Sequence, residues 1–263
     1  MEARPIVHVP FDAYLPPELP HSDQPPSYNS RRLLTIRSAD SHGQRSSANI
    51  LIDRMYGRRG YLSSPLPAQQ KHSRFTLVAT DHDNTIGTLT IGFDSDDGLH
   101  VDDLFGQKTD ELRRAGHRLC EFTKLAVDND VESKRVLASL FHVAHLIAHR
   151  LMACDTLLIE VNPRHVGYYR RMLDMDALGP ARHNSRVNAP AVLLCLPFAR
   201  SQAQIDRFGG QPELSASERS LYPYFFSAAE EAGIISRMTA PQPVPAAYGD
   251  VRVHAHARHR VTN

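Results

Sequence analysis

A carboxylate and two cations lie close together in the stretch CEFTKLAVDNDVESKR, residues 120–135. The first part alternates as a β-strand does, so Glu121 shares a face with apolar neighbours. A carboxylate in such surroundings is unfavourable unless it is paired or used, and partial burial makes a carboxylate a competent proton acceptor near neutral pH. Glu121 is therefore a candidate general base. The alternative is an ion pair with a nearby arginine, for instance Arg118 or Arg164.

Ser133, Lys134 and Arg135 begin the longest helix that the pattern predicts. Free backbone N–H groups at a helix N-terminus carry partial positive charge, and two cationic side chains add to it. A phosphate or pyrophosphate would be held well at such a position. The alternative is a helix capped by Ser133, with both basic side chains in solvent.

The stretch IEVNPRHVGYYRRML, residues 159–173, predicts a strand that leads into a helix. Asn162 suits the N-cap and Pro163 the first helical position. Tyr168 or Tyr169, on the first turns, could protonate a departing thiolate. Two adjacent tyrosines cannot both face one way, so at most one acts, and the alternative for each is packing in the core.

Three histidines, His142, His145 and His149, follow one another at helical spacing, and we expect them opposite the apolar face of their helix. This spacing permits metal ligation, but no carboxylate or cysteine stands at a position that would complete the set. A second histidine-rich stretch, HAHARH near the C-terminus, is a weaker candidate. We therefore predict no metal site.

The composition indicates a globular chain of 263 residues with 41% hydrophobic residues and a net charge of +1. A nucleic-acid-binding protein would carry a larger excess of basic residues, although local basic clusters leave room for a docking patch for an acidic partner. The three cysteines show no CxxC spacing and are predicted to be buried free thiols. With no signal peptide and no apolar stretch of about 20 residues, we expect a cytoplasmic protein.

Alternation and helical periodicity predict a mixed α/β fold around one central sheet. Residues 1–30 are rich in proline and are predicted to form a disordered or extended arm, residues 31–200 the main domain, and residues 201–263 accessory helices with a flexible tail. We expect the accessory helices to start at a capping-box-like Ser217–Glu218. The predicted strands cover residues 32–37, 75–80, 85–93, 119–127, 156–161 and 189–198. The predicted helices cover residues 47–56, 102–114 and 133–152. In the first of these helices, Ile50, Leu51 and Met55 are expected to face inward.

Four stretches in this order, EFTKLAVD, SKRVLASLFHVAHLIAHR, IEVNPRHVGYYRRML and RVNAPAVLLCL, resemble the Gcn5-related N-acyltransferase (GNAT) superfamily. Within it they are similar to the long-chain N-acyl amino acid synthases of the FeeM type, over roughly residues 31–198. Four ordered motifs are more specific than any one of them. The first stretch is also similar to the acyl-homoserine-lactone synthases. The resemblance implies the GNAT fold, a central mixed sheet flanked by helices, with a C-terminal helical extension.

The resemblance also implies where the acyl donor lies. The strands at 119–127 and 156–161 are expected to splay apart and to hold a pantetheine arm in the gap, with its phosphate at the helix N-terminus. Backbone N–H groups near a bulge at Leu125–Val127 would stabilise the oxyanion, and the acyl chain would run between sheet and helices. The expected donor-binding residues are Leu125, Ala126, Val127, Ser133, Lys134, Arg135, Val136 and Asn162, and the expected substrate contacts are Phe122, Thr123, Phe141 and His165.

The chain departs from the superfamily pattern at three places, and the first of them bears on the donor. Residues 128–138, DNDVESKRVLA, contain no glycine where acetyl-coenzyme A enzymes carry a glycine-rich pyrophosphate loop, which favours the single phosphate of an acyl carrier protein. Lys124 replaces an arginine that is common among relatives, and it keeps the charge but loses the fork geometry. Asp174–Met175 stands where many members have Gly-Phe.

The resulting hypothesis is transfer of a long-chain acyl group from acyl carrier protein to the α-amine of an amino acid. Glu121 would be the base and Tyr169 the acid, with Tyr168 as second choice. No tightly bound cofactor is expected, acyl-coenzyme A remains an alternative donor, and the lipid product allows contact with a membrane surface. The alternatives are a homoserine-lactone synthase, less favoured because the chain has no tryptophan, a catalytically silent acyl-group or carrier-protein binding module, and an acetyltransferase.

Overall fold

The computed structural model describes residues 5–10, 33–68, 72–128 and 133–240. These residues include nine strands and six α-helices. The strands are β1 (Val7–Pro10), β2 (Leu33–Ser38), β3 (Arg74–Asp81), β4 (Asn84–Phe93), β5 (Leu119–Val127), β6 (Thr156–Val161), β7 (Asp176–Ala177), β8 (Arg182–Asn184) and β9 (Ala189–Pro197). The helices are α1 (His42–Gly57), α2 (Asp102–Arg114), α3 (Ser133–His145), α4 (Val166–Leu173), α5 (Phe198–Phe208) and α6 (Ala228–Thr239).

The strands follow one another in the order β1-β2-β3-β4-β5-β6-β9-β7, and β8 pairs with β9. All neighbours are antiparallel except β5 and β6, which are parallel. Parallel strands need a crossover, and α3 supplies it. The predicted α/β class with one central mixed sheet is confirmed.

Alternation along β5 and β6 divides the core between two faces of the sheet. Cys120, Phe122 and Ile159 pack with α3, whereas Leu119 and Leu158 pack with the residues that lead into α2. Helix α1 lies on the same face as α2, since its buried side chains pack on Ala126 and Val78. The sheet therefore separates α1 and α2 from α3.

Helix α1 begins earlier than the sequence pattern predicted. Ser41 Oγ accepts a hydrogen bond from Gln44 N, and Gln44 Oε1 accepts one from Ser41 N, a reciprocal cap that starts the helix. The prediction that Ile50 faces inward was wrong, because the buried stripe passes through Ala48, Leu51, Ile52 and Met55 and leaves Ile50 66% exposed.

The N-terminal arm was predicted to be disordered or extended. Within it, Val7–Pro10 forms the edge strand β1 against β2, so the sheet takes in residues before 31. Residues 1–4 and 11–30 of the arm and residues 241–263 of the tail, including HAHARH, lie outside the described residues. The predicted helical extension after residue 200 is present, but its reciprocal cap joins Ser227 to Glu230 rather than standing at Ser217–Glu218.

The histidines of α3 face the C-terminal extension rather than solvent, which corrects their predicted position. Phe226 N donates to His142 Nδ1 at 2.8 Å, so His142 Nε2 carries the proton that it donates to Glu231 Oε1 at 2.8 Å. His145 Nε2 donates to Gln202 Oε1 at 3.2 Å. Helical periodicity could not reveal this, because the covering groups come from α5, α6 and the residues between them.

The helix predicted over 133–152 changes its hydrogen bonding after His145. A π-helical turn covers Leu146–Leu151, and His149 Nδ1 bonds the carbonyl oxygen of Cys154 at 2.8 Å. All three cysteines are free and buried, as predicted. None of the helices in the described ranges is long and apolar enough to cross a membrane.

We expect His145 to make folding stability depend on pH. Burial lowers the pKa of His145 to about 3, and neighbouring His142 adds to the shift. Between about pH 6.5 and pH 3 the unfolded chain therefore binds a proton that the folded chain does not, so the free energy of unfolding falls as the pH is lowered, by at most about 1.4 kcal/mol per unit for this group. Urea unfolding at pH 7 and pH 5 measures the fall.

The variant His145→Gln should show a smaller fall than the wild type. His82→Asn is the matched control, because His82 lies exposed in the β3–β4 turn at φ 53°, a conformation that asparagine also adopts. An undiminished fall in His145→Gln would show that the folded protein does not hold this ring uncharged.

Candidate active site

Strands β5 and β6 pair over only three positions before they part. The parallel register joins Leu119 to Thr156, Cys120 to Leu157 and Glu121 to Leu158. Beyond these pairs β5 stays bonded to β4 as far as Val127, and β6 stays bonded to β9 as far as Val161. Residues 122–127 and 159–161 thus border an opening in the sheet, which we call the β5–β6 gap. The splayed strands that the resemblance implied are present.

A β-bulge lies on the β5 side of the gap. Thr90 pairs with Thr123 and Thr88 with Ala126, so β5 has one more residue than β4 between these two pairs. Lys124 takes a positive φ of 49° there, and Thr88 Oγ1 donates to its carbonyl oxygen at 2.8 Å. A bulge redirects backbone groups away from the neighbouring strand. The bulge was expected at this place, and the oxyanion role of Leu125, Ala126 and Val127 stays a prediction.

Glu121 lies fully buried in an ion pair with Arg74. Arg74 Nη1 donates to Oε1 at 2.6 Å, His100 N donates to Oε1 at 2.9 Å and Val101 N donates to Oε2 at 3.1 Å. Gly92 faces the pair across β4, where a Cβ would come within 2.8 Å of both Arg74 Nη1 and Glu121 Cγ. Glycine at this position therefore makes room for the ion pair.

These contacts show that Glu121 is paired rather than free, and its role as general base stays a prediction. Both carboxylate oxygens already accept hydrogen bonds, one of them from the partly buried Arg74 guanidinium. The ion-pair alternative was the better prediction, with Arg74 as the partner in place of Arg118 or Arg164. Through His100 N and Val101 N, Glu121 fixes the segment that leads into α2.

A second carboxylate, which the sequence analysis did not single out, belongs to Glu160 of β6. Its Oε2 accepts hydrogen bonds from Arg186 Nη2 at 2.5 Å and from Asn184 Nδ2 at 2.7 Å. Its Oε1 is buried without a hydrogen-bond partner among the described residues. Burial raises the pKa of Glu160 to about 7, and the Arg186 guanidinium opposes the rise. Strand alternation in TLLIEV, which sets Glu160 on the face of Leu158, was the available signal.

An aromatic group from α3, α4 and β5 lies on the other face of the sheet. Phe141 contacts Phe122 at 5.8 Å and Tyr169 at 6.3 Å between ring centroids, and Tyr169 meets Tyr168 edge-on at 5.5 Å. Burial raises the pKa of both tyrosines, and for Tyr169 the nearby Tyr168 and Tyr56 hydroxyls raise it further. Tyr169 is therefore protonated at neutral pH and available as a hydrogen-bond donor.

The turn that leads into α4 carries Asn162 and His165, the two polar residues expected to contact the substrates there. Asn162 Oδ1 accepts from Arg164 N at 3.2 Å, the predicted cap, which here begins a 3₁₀ turn over Pro163–His165. Asn162 Nδ2 donates to Pro190 O at 3.3 Å. Arg164 Nε donates to His165 Nε2 at 3.2 Å, and burial lowers the pKa of His165.

The beginning of α3 presents one solvent-facing cation rather than two. Lys134 is exposed, whereas Arg135 is 9% exposed and Val136 is fully buried. The side chain of Ser133 lies outside the described residues. Lys124, in the β5 bulge, is the other lysine near the gap. Its Nζ donates to Ser64 O at 2.5 Å, and burial lowers the pKa of Lys124.

Comparison with known proteins identifies the family of this chain. The family model for N-acyl amino acid synthase FeeM matches residues 47–197. The solved structure of FeeM, an N-acyl amino acid synthase from uncultured soil microbes, is 24% identical and superimposes with a TM-score of 0.60 over 65% of this chain and 94% of its own. No curated protein sequence matches.

Two further solved structures are more distant. A putative N-acetyltransferase from Lactobacillus plantarum is 13% identical, with a TM-score of 0.46 over 62% of this chain and 97% of its own. The coenzyme A-dependent acyl-homoserine lactone synthase BjaI is 10% identical, with a TM-score of 0.46 over 65% and 87%. The family match spans more than half of the chain, and the protein therefore belongs to the FeeM family of N-acyl amino acid synthases and is an N-acyltransferase with the GNAT fold.

Proposed function

We propose that the enzyme moves a long-chain acyl group from the phosphopantetheine thioester of acyl carrier protein to the α-amine of an amino acid. The observation that carries this proposal is the β5–β6 gap, where pairing stops after Glu121–Leu158 although both strands continue. Strand edges without a neighbour offer backbone N–H and C=O groups, which must find partners. The two amide groups of an extended pantetheine arm meet this need, as an added strand does.

The donor follows from the start of α3. Lys134 points to solvent there, and the preceding residues contain no glycine that would let a backbone loop wrap a pyrophosphate. One phosphate, held by the backbone at Ser133–Val136 with Lys134 and Arg135 adding charge, suits a carrier protein better than coenzyme A. This donor places the reaction in the cytoplasm and makes acyl carrier protein the protein partner, with no role for nucleic acid.

The remaining residues are assigned from their places around the gap. N–H groups at the bulge, Leu125–Val127, stabilise the oxyanion. Tyr169, or Tyr168 as second choice, donates a proton or hydrogen bond to the leaving sulfur. The acyl chain passes the rings of Phe122 and Phe141, and a membrane surface can take up the lipid product. Thr123, Asn162 and His165 contact the substrates.

Mass spectrometry of a defined reaction tests the proposed function. The purified full-length protein is incubated with hexadecanoyl-loaded acyl carrier protein and a mixture of the twenty amino acids. We expect N-hexadecanoyl amino acids, and a higher kcat/KM with the carrier protein than with hexadecanoyl-coenzyme A. Release of free fatty acid alone would contradict the synthase proposal, and an equal or better kcat/KM with coenzyme A would contradict the donor assignment.

Charge reversal at Lys134 should weaken carrier binding. Lys134→Glu is expected to raise the Kd for acyl carrier protein about tenfold in low salt, or about 1.4 kcal/mol, because a cation near an acidic partner and its phosphate becomes an anion. The effect should shrink at 0.5 M salt, where charges are screened. Fluorescence anisotropy of a labelled carrier protein measures both values.

Lys108→Glu is the matched control for Lys134→Glu. Lys108 is an exposed lysine on α2, across the sheet from α3. Its reversal should leave the Kd unchanged. A similar loss of affinity in both variants would indicate a general charge effect and would remove Lys134 from the docking site.

A further inference from the structure

Two side chains on the borders of the β5–β6 gap would face each other if the strands had stayed paired. Continued in register from Glu121–Leu158, the ladder would set Thr123 opposite Glu160. Both lie on the face of α1 and α2, because Leu119, four residues before Thr123, and Leu158, two residues before Glu160, pack there. Thr123 and Glu160 are thus the first residues on this face after the strands diverge.

Each of these two residues carries a polar atom that lacks a partner. Thr123 Oγ1 and Glu160 Oε1 are buried, and neither has a hydrogen-bond partner among the described residues. Buried polar groups are almost always hydrogen-bonded, and the exceptions call for an explanation. A hydroxyl and a carboxylate oxygen can both accept hydrogen bonds from one primary amine that enters the gap.

We infer that Glu160 is the catalytic base, accepting at Oε1 the proton of the attacking amine, while the Thr123 hydroxyl orients that amine. This inference rests on the proposed function and deepens it, since it gives the amine acceptor a place on the α1–α2 face of the gap. The thioester then lies between this amine and the aromatic group of the α3 face.

The surroundings of Glu160 suit this role. Arg186 Nη2 and Asn184 Nδ2 hold Oε2 and leave Oε1 as the free oxygen. The charged groups that act on it are the Arg186 guanidinium, which favours the carboxylate, and Glu121 of β5 and Asp103 of α2, which disfavour it. Burial, to which the two carboxylates add, outweighs Arg186 and raises the pKa of Glu160 to about 7, near the pH at which a general base works best.

The proposed step balances in atoms and charge. The amine nitrogen attacks the thioester carbon, the C–N bond forms, and one N–H proton passes to Glu160 Oε1. The electron pair on the carbonyl oxygen re-forms the C=O bond of the amide as the C–S bond breaks, and the thiolate takes a proton from water or from Tyr169, which then regains a proton from solvent. Glu160 then releases its proton to solvent, so thioester and amine give amide and thiol.

The variant Glu160→Gln tests the assignment with the full-length enzyme and hexadecanoyl-loaded carrier protein. Gln can still accept the bonds from Arg186 and Asn184, so we expect binding of the carrier protein to be retained and kcat to fall roughly 10²–10⁴-fold. In the wild type kcat should rise between pH 6 and pH 8 as the carboxylate ionises, and this rise should be absent in Glu160→Gln. Glu111→Gln is the matched control: Glu111 is an exposed carboxylate on α2 that pairs with Lys108, away from Glu160 and Arg186, and its kcat should change less than about threefold.

A second variant, Thr123→Val, tests the proposed amine site even if Glu160→Gln does not fold. Thr123→Val removes the hydroxyl at nearly constant volume and should raise the KM for the amino acid about fivefold, with the rise of kcat between pH 6 and pH 8 retained. Wild-type kcat in Glu160→Gln, an unchanged KM in Thr123→Val, or a wild-type kcat that is flat over this pH range would overturn the inference. If the wild type itself makes no N-acyl product, the proposed function fails and this role falls with it. Product formation by the wild type together with an equal kcat in Glu160→Gln would remove the role of Glu160 alone.

Discussion

Replacing Glu121 by glutamine is expected to lower the free energy of unfolding by about 3–5 kcal/mol, the usual effect of removing one partner from a buried ion pair. The partly buried Arg74 would keep its charge without a counter-charge at position 121, and the bonds from His100 N and Val101 N would lose an ionised acceptor. Chemical unfolding of wild type and variant at pH 7 measures the difference.

Glu111→Gln is the control for this experiment. Glu111 pairs with Lys108 at 2.7 Å on the exposed side of α2, and its replacement should leave the unfolding midpoint unchanged. A loss of less than about 1 kcal/mol in Glu121→Gln, combined with a large fall in kcat, would contradict the structural role and return Glu121 to the role of base.

The second large effect is expected at Tyr169. Tyr169→Phe should lower kcat by roughly 10²-fold, the lower end for general acid catalysis, because a thiolate is already a good leaving group. The ring contact with Phe141 is preserved, so the melting temperature and carrier binding should not change. Steady-state kinetics with hexadecanoyl-loaded carrier protein gives the comparison.

Tyr168→Phe provides the matched control, since Tyr168 is adjacent and turned by 88° relative to Tyr169. Its kcat should fall less than about tenfold. A larger loss at Tyr168 than at Tyr169 would exchange the two assignments. Wild-type kcat in both variants would show that water, and not a tyrosine, protonates the leaving sulfur.

Elements with clear alternation or periodicity could be predicted from the sequence alone. The bounds of β5 and β6 agree with prediction, because β5 alternates regularly, β6 is mostly apolar, and each strand is followed by polar or turn residues. The start of α1 was missed since its first turns are polar and only the pair Ser41 and Gln44 marks it. Local pattern therefore predicts an element well when its buried face is continuous.

Contacts between residues distant in sequence determine the partners of Glu121 and His142, which the local sequence pattern does not reveal. Arg74 is the partner of Glu121 because the register of β3, β4 and β5 places Arg74, Gly92 and Glu121 in one row across the sheet. His142 is buried because Glu231 reaches it from α6. Sequence spacing contains neither the register nor the packing of the extension, so the polarity of these residues suggested exposure or catalysis instead.

The sequence pattern likewise did not reveal the environment of Glu160. Its motif was recognised and its strand predicted, but a single carboxylate in an apolar strand does not reveal whether its oxygens are satisfied. The structure separates the two carboxylates: Glu121 has three donors, whereas Glu160 has one oxygen without a partner among the described residues. Hydrogen bonding, more than residue type, therefore decides which of them is available for chemistry.

Amide hydrogen exchange tests most directly whether the acyl-donor arm lies between the diverging strands. Exchange is measured by mass spectrometry on the full-length protein, alone and saturated with hexadecanoyl-loaded carrier protein. We expect slower exchange in peptides that cover residues 122–127 and 159–161, because their unpaired N–H groups would bond the pantetheine arm. Unchanged exchange in both segments at saturation, with protection elsewhere on the protein, would contradict the proposed position of the arm in the β5–β6 gap.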